Sequence, residues 1–315
     1  MERPDLTLAF DIGGTKLAAA AVDPTGRVLA GARTPTEPDL DAEGLWRALL
    51  AVGDRVLDGA QPAGVGVGCG GPMHWPSGEV SPLNIPAWVD FPLRARLSER
   101  FPGIPVRVHN DAVAVAVGEH WRGAGRGLQQ VLGMVVSTGV GGGLVLGGRL
   151  VDGASGNAGH IGHVVVEPDG PLCTCGGYGC LEAIARGPAV AAWAVEHGWQ
   201  SPPGGGTGKD VADDAARGHP VAKAALQRAG TALGTAIASA TALLDLEAVC
   251  IGGGLSQAGP LLLAPLEDAF RRHARMDFMR HVRVVPAALG QDAGLVGAAA
   301  LVLAGDRYWS VGEQT

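Results

Sequence analysis

The chain has 315 residues, 47% of them hydrophobic, with 24 Lys and Arg against 31 Asp and Glu and a formal net charge of −7. That length supplies a sizeable core and favours two domains over one, and the acidic balance lacks the basic footprint that a nucleic-acid partner requires. The longest apolar run, Ala293–Ala304, is too short to cross a bilayer, and Met1–Asp11 carries no signal segment, so a cytoplasmic protein with no membrane partner is expected.

In chain order, Leu6–Phe10 reads as a strand, Asp11–Lys16 as a glycine turn and Leu17–Val22 as a second strand. Asp23–Arg27 is a turn before a third strand at Val28–Ala30. Ala63–Val67 and Val106–Val108 read as strands, with helical stretches at Leu93–Arg100 and Ala112–Gly118. The opening pattern then recurs. Val131–Val136 is a strand, Ser137–Gly143 a turn, Leu144–Leu146 a strand, Gly147–Arg149 a turn, and a further strand begins at Leu150. Two copies of one unit point to a duplicated architecture that holds a ligand between the copies. The second half is more helical, at Leu181–Ala185, Ala189–His197 and Lys223–Leu244, before a strand at Ala248–Ile251 and the cluster Gly252–Gly254. Ser201–Lys209 reads as a loop. Alternating strands and helices define an α/β fold, with a hinge expected near Gly118–Gly127.

Three glycine clusters carry the phosphate chemistry. Asp11-Ile12-Gly13-Gly14-Thr15-Lys16 follows a strand, so bare backbone amides there approach phosphate oxygens closely. Thr15 adds a hydroxyl, Lys16 a positive charge and Asp11 a carboxylate for Mg2+. The run lacks P-loop spacing, and alone it also suits a plain hairpin. The second loop, with Thr138 and Gly139, makes a clamp on one polyphosphate the better reading. Gly253 and Gly254 lie after a strand, where a nucleoside would rest. Gly66–Gly71 matches G-x-G-x-x-G, but Pro72 and Pro76 forbid the helix that a dinucleotide site needs, which argues against an oxidoreductase. The five cysteines, with Cys173, Cys175 and Cys180 inside eight residues, form a poor disulfide framework and a good metal framework.

Taken together, these motifs resemble the ROK family of repressors and sugar kinases. Its D-x-G-G-T-K motif matches Asp11–Lys16, and its second phosphate loop matches Ser137–Gly143 with Ser137 in place of a glycine. Its N-D-A matches Asn110-Asp111-Ala112, and its zinc signature matches Gly162-His163 and Cys173–Glu182. The resemblance implies an actin-like ATPase (ribonuclease H-like) fold of two α/β domains around a central cleft. Residues 1–118 would form the first domain, joined by the C-terminal helix at about 293–315, and residues 119–292 the second. It further implies ATP and Mg2+ as cofactors, a structural Zn2+ and a homodimer or homotetramer. Asp11 stands ten residues from the start, which leaves no room for a DNA-binding segment ahead of it and favours the enzyme branch.

By the same resemblance, Asp111 is the catalytic base toward a sugar hydroxyl, although an Asp after a strand is often only a helix cap. Gly71, Asn84, Asn110, His160, His163 and Glu182 are the further candidates for contact with the sugar. His163, Cys173, Cys175 and Cys180 fill a tetrahedral zinc site, which leaves the metal structural. Gly70 departs from the family's usual proline. His160 replaces a glutamate that accepts from hydroxyls at the C1–C2 end of glucose. Histidine there resembles bacterial N-acetylmannosamine kinases, whereas Asn84-Ile85-Pro86 and Asp90–Leu93 resemble bacterial glucokinases. The expected substrate is therefore a hexose or N-acylhexosamine, phosphorylated on the 6-hydroxyl. N-acetylmannosamine leads, glucose is the alternative, and a non-catalytic sugar-sensing regulator is the further alternative.

Overall fold

The computed structural model describes residues 5–310. Residues 1–4 and 311–315, including the start of the expected first domain and the end of its C-terminal segment, lie outside the described residues. The first half holds β1 (Thr7–Ile12), β2 (Lys16–Val22), β3 (Val28–Pro35), α1 (Ala42–Leu57), β4 (Gly64–Cys69), β5 (Met73–His74), β6 (Glu79–Val80), α2 (Leu93–Arg100), β7 (Val106–Asn110) and α3 (Asp111–Arg122). Then follow β8 (Val131–Val136), β9 (Val140–Leu146), β10 (Arg149–Leu150), α4 (Leu181–Ala185), α5 (Gly187–Glu196), α6 (Gly208–Ala216) and α7 (Pro220–Leu244). The chain continues through β11 (Ala248–Gly252), α8 (Pro260–His273), α9 (Asp277–Arg280), β12 (Arg283–Pro286), α10 (Ala293–Leu303) and α11 (Gly305–Tyr308).

Two five-stranded sheets have matching orders, β3-β2-β1-β4-β7 and β10-β9-β8-β11-β12. The duplication visible in the glycine pattern is thus a duplication of topology. In the first sheet β1 pairs antiparallel with β2 and parallel with β4, and β4 pairs parallel with β7. The chain divides into two compact units. One contains the residues up to Gln129, Gly143–Ala158 and the residues from Ala288; the other contains Gln130–Gly142 and Gly159–Ala287. The expected boundary at 118/119 therefore differs from the observed one at 129/130, and Gly143–Ala158 packs with the first unit.

Side-chain size explains how the first unit is layered. On one face of the sheet Leu8, Phe10, Ile12 and Leu17 pack with Leu45, Leu49, Val52 and Val56 of α1. On the other face, Ala9, Ala18 and Ala20 are small enough for α10 to bring Leu295, Ala298 and Ala299 onto them. Glycine permits the closest approaches, since a Cβ on Gly66 would overlap the Ala298 backbone and one on Gly297 the Ala114 carbonyl. Helix α10 is buried on nearly every side, as its uniformly apolar sequence requires. Among the described residues no helix is long and apolar enough to cross a membrane.

Several local expectations are corrected. The turn expected over Ser137–Gly143 ends sooner, because β9 begins at Val140. The loop expected over Ser201–Lys209 is shortened by α6, which starts at Gly208 behind a Thr207–Asp210 capping box. Helix α3 begins at Asp111 and runs to Arg122, with Asn110 as its cap.

Candidate active site

In the first unit, strand register assembles the site. Asp11 lies opposite Gly68, and Cys69 opposite both Ile12 and Asn110. Asp11, Cys69 and Asn110 therefore stand at the carboxyl ends of three adjacent parallel strands, where open α/β sheets bind ligands. Asp111 follows as the first residue of α3, and Gly68 lets that turn approach, since its Cβ would stand 3.4 Å from Asp111 Cα. Asp111 Oδ1 accepts from the Ala112 N–H at 2.8 Å. Burial first, and the Asp11 charge next among the raising effects, push the Asp111 carboxyl from an ordinary 3.8 to about 6. Burial, then Asp111 and Asp11, push the Cys69 thiol well above its usual range, so it stays neutral beside them.

The cap role belongs to Asn110, whose Oδ1 accepts from the N–H groups of Ala112 and Val113 at 3.0 and 3.4 Å. With Oδ1 engaged, its Nδ2 is the donor left for a ligand, and a Cβ on Gly71 would meet that nitrogen at 3.3 Å. Asn84 is exposed on a segment anchored by buried Ile85 and Trp88, the latter stacked on Phe91 at 4.4 Å. Gly14 packs directly on Asn84: a Cβ at Gly14 would overlap the Asn84 Cβ and stand 2.7 Å from its carbonyl oxygen. The Asp11–Lys16 loop is itself closed. Gly13 N–H donates to Lys16 O at 3.0 Å, and Thr36 Oγ1 donates to Gly13 O at 2.7 Å. The Gly13 amide therefore serves the turn, which leaves the Gly14 amide, the exposed Thr15 hydroxyl and the Lys16 amine as the groups of this loop open to a ligand. Lys16 Nζ lies 3.4 Å from Asp11.

A buried pair stands behind Asn110. His109 and Asp152, 1% and 7% exposed, meet at 3.1 Å between Nε2 and Oδ1. His109 Nδ1 accepts from the Asn110 N–H at 2.8 Å, so Nδ1 is unprotonated and Nε2–H donates to Asp152. Ser310 donates to the other Asp152 oxygen. Asp152 thus fixes the tautomer that holds the Asn110 backbone.

In the second unit, Thr138 and Gly139 form a short loop between β8 and β9, closed by Ser137 N–H donating to Gly139 O at 2.8 Å. Glu182 Oε2 accepts from the Val140 N–H at 2.9 Å, and Gly187 N–H donates to Ser137 O at 2.8 Å. Gly253, at φ +98°, rests against the Val136 backbone, and a Cβ on Gly254 would meet Ser137 Oγ at 3.4 Å. Thr138, Gly139, Gly253, Gly254 and Glu182 are therefore brought together. Gly162 packs on Val140 as well, next to His163, and the His160 and His163 rings are nearly parallel with centroids 6.1 Å apart.

His163, Cys173, Cys175 and Cys180 place their ligand atoms within 4.8 Å of one another. Cys175 and Cys180 Sγ are 3.7 Å apart, and Cys173 Sγ is 3.8 Å from His163 Nδ1. A tetrahedral zinc with Zn–S bonds of about 2.3 Å separates its sulfur ligands by about 3.8 Å, so this donor set fits zinc. Nδ1 is the metal-facing nitrogen of His163, which leaves Nε2 for another partner. Cys180 also precedes the first turn of α4, which carries Glu182, so a cysteine of the cluster and the carboxylate that holds the Thr138–Gly139 loop are two residues apart at one helix start.

The ROK family profile matches residues 7–304. The chain belongs to the ROK family. It is 34% identical to a glucokinase from Thermotoga maritima over 307 residues, covering 94% of this chain and 96% of the relative. It is 36% identical to an N-acetylmannosamine kinase from Escherichia coli O7:K1 over 300 residues, covering 94% and 98%. A ROK family glucokinase from Streptomyces griseus, solved with glucose and AMPPNP, superposes with a TM-score of 0.82 at 36% identity, covering 94% of this chain and 99% of that one. The fold is accordingly the actin-like ATPase fold of the ROK sugar kinases.

Two features of this ROK protein escape its sequence motifs. The Asp152–His109 pair spans 43 positions, and nothing in Val151-Asp152-Gly153 marks a buried acid. Gly294, at the start of α10, abuts the Asp11 carboxyl, since a Cβ there would stand 3.3 Å from its carbon. The only signal at Gly294 was a glycine at the opening of an apolar helix.

Proposed function

We propose that the chain is an ATP-dependent hexose kinase acting on the 6-hydroxyl of its sugar. The observation that carries this reading is Asp111: a carboxyl raised to about 6, close to the pH at which a general base works, beside Asp11 and Asn110 at the strand ends. The whole-length similarity to glucokinases and an N-acetylmannosamine kinase supports it.

In this reading Asp111 takes the proton of the 6-hydroxyl as that oxygen attacks the γ-phosphorus, the bond to the β-γ bridging oxygen breaks, and ADP leaves. Asn84, Asn110, Gly71, His160, His163 and Glu182 orient the sugar. The glycine loops at Gly13–Lys16, Thr138–Gly139 and Gly253–Gly254 hold the nucleotide. Asp11 offers the hard carboxylate oxygen that Mg2+ prefers, and Mg2+, when bound, neutralises phosphate charge. His163, Cys173, Cys175 and Cys180 hold Zn2+, which supplies a fixed loop and no chemistry of its own.

His160 favours N-acetylmannosamine as the substrate. A neutral imidazole donates to an acetamido carbonyl, which an acceptor-only carboxylate opposes. Glucose is the second reading, favoured by the glucokinase relatives. A coupled ADP-release assay over glucose, mannose, N-acetylglucosamine and N-acetylmannosamine, with wild type and His160→Glu, separates them. Preference for N-acetylmannosamine that shifts toward glucose by about one to two powers of ten in the variant supports the first. A wild-type preference for glucose, or an unchanged ratio, refutes the role of His160.

A further inference from the structure

Away from the sugar and phosphate residues, the first unit holds a pocket of about 480 Å³ whose lining includes Arg122, Arg126, Arg149, Arg307, His120 and Leu128. Four guanidiniums converge there in a chain of net charge −7, and Asp306 is the one carboxylate in the lining. Several arginines elsewhere pair with acids, among them Arg96 with Glu43, Arg100 with Asp54, Arg228 with Glu167 and Arg271 with Glu267. None of the four pocket arginines makes an ion pair among the described residues.

Two of the four are held in place by neutral partners. Arg122 donates from Nε to Thr25 O at 2.6 Å and lies 3.9 Å from the centroid of the Trp121 ring. Arg149 donates to the Asp306 carbonyl. Backbone carbonyls orient a guanidinium without cancelling its charge, so mutual repulsion persists. The Arg122 guanidinium shows it: burial first, then the charges of Arg126 and Arg307, draw its pKa down. Arg126 and Arg307, also in the lining, are exposed. A cluster of like charges around a concave surface, two of them oriented by backbone carbonyls, is an arrangement that a multiply charged anion relieves, and guanidinium forks match phosphate oxygens in geometry.

We propose that this pocket binds a small phosphate-bearing anion at a site separate from the phosphate-transfer residues. Helix α3 fixes that separation, because Asp111 begins it and Arg122 ends it, about 17 Å apart along the axis. The volume suits a phosphorylated hexose or a short chain of inorganic phosphates. The site stands independently of the kinase reading.

The test is calorimetric titration of the full chain and of the Arg126→Glu/Arg307→Glu variant with three probes: inorganic phosphate, glucose 6-phosphate and tripolyphosphate. Binding at the glycine loops is common to both chains and cancels in the comparison. The wild type should bind at least one probe with a Kd below about 1 mM, and the variant should lose one equivalent of binding or weaken it at least about tenfold. Preference for the ester over tripolyphosphate identifies a phosphorylated metabolite; the reverse identifies an inorganic polyphosphate. Both substituted side chains are exposed, so melting temperature should hold, and Arg126→Glu alone should reproduce part of the loss. Identical isotherms for the two chains, or binding by neither, overturn the proposal.

Discussion

Glu182 accepts a hydrogen bond from the Val140 N–H at 2.9 Å, which ties the helix start beside the His163, Cys173, Cys175 and Cys180 cluster to the Thr138–Gly139 loop. The same oxygen sits where a Cβ on Gly139 would come within 2.9 Å, so the loop and the carboxylate are in direct contact. In the proposed function one side chain therefore bears on both the residues proposed to orient the sugar and a loop proposed to hold the nucleotide.

Glu182→Ala should raise KM for the nucleotide as well as for the sugar. A hydrogen bond to a charged group contributes about 1.5–3 kcal/mol, which corresponds to roughly ten- to a hundredfold. Steady-state kinetics with each substrate varied in turn provide the check. A change confined to the sugar KM would show that the Val140 contact has no bearing on the nucleotide.

Asp152→Asn should act through His109. An amide no longer enforces protonation of Nε2, so the tautomer that accepts from the Asn110 N–H loses its preference. We expect a loss of about 1–3 kcal/mol of stability together with a fall in kcat, because Asn110 directly precedes Asp111. Thermal melting and kcat measured on the same preparation test this. A melting loss with unchanged kcat would assign the pair to the core alone.

How much of this was legible depends on the kind of signal. The strand at Val131–Val136 read correctly, and the one read over Leu6–Phe10 is found over Thr7–Ile12, because both apolar runs break at polar residues just ahead of glycines. Helix α1 received no assignment, although Asp41 caps it and Leu45, Leu49, Val52 and Val56 follow helical spacing. Gly141–Gly143 reads as a turn and is strand, because its glycines serve close packing: a Cβ on Gly142 would meet Gly133 O at 2.8 Å, and one on Gly143 would meet Ala116 at 2.9 Å. Asp111 was legible as a candidate, but its raised pKa comes first from burial and then from the Asp11 charge, both of which need the assembled fold. The arginine pocket joins residues from 120 to 307, and no local pattern reports such a convergence.

Removing zinc should destabilise more than activity alone reveals. In the chain without metal, burial and the neighbouring thiols push Cys180 up to about 12, while a Gly177 N–H and the same neighbours draw Cys175 down. A cation relieves that crowding. Elemental analysis should find one zinc per chain, and Cys173→Ser should lower both melting temperature and sugar affinity. Metal-free protein with unchanged melting would contradict the assignment.

Asp111→Asn should stabilise the protein at high pH. The folded-state pKa is raised, so the proton binds the folded chain more tightly and the ionised carboxylate opposes folding above about 6. The variant should therefore match wild type near pH 4, gain between about 4 and 6, and keep the gain at pH 8. A shift from 3.8 to about 6 sets the ceiling at about 3 kcal/mol. Melting curves across this range read it, and a gain that is flat with pH would disprove the raised carboxyl.

The most direct test of the central claim is sugar-dependent ADP release by wild type and Asp111→Asn over pH 5 to 8, at the best sugar of the panel. The account predicts that wild-type turnover requires both ATP and a hexose and falls as pH drops below about 6, when Asp111 takes up a proton. It predicts that the variant loses roughly 10²–10⁴-fold in kcat while KM for the sugar stays within a few-fold. ADP release that no hexose stimulates, or a variant turning over near the wild-type rate, would contradict it.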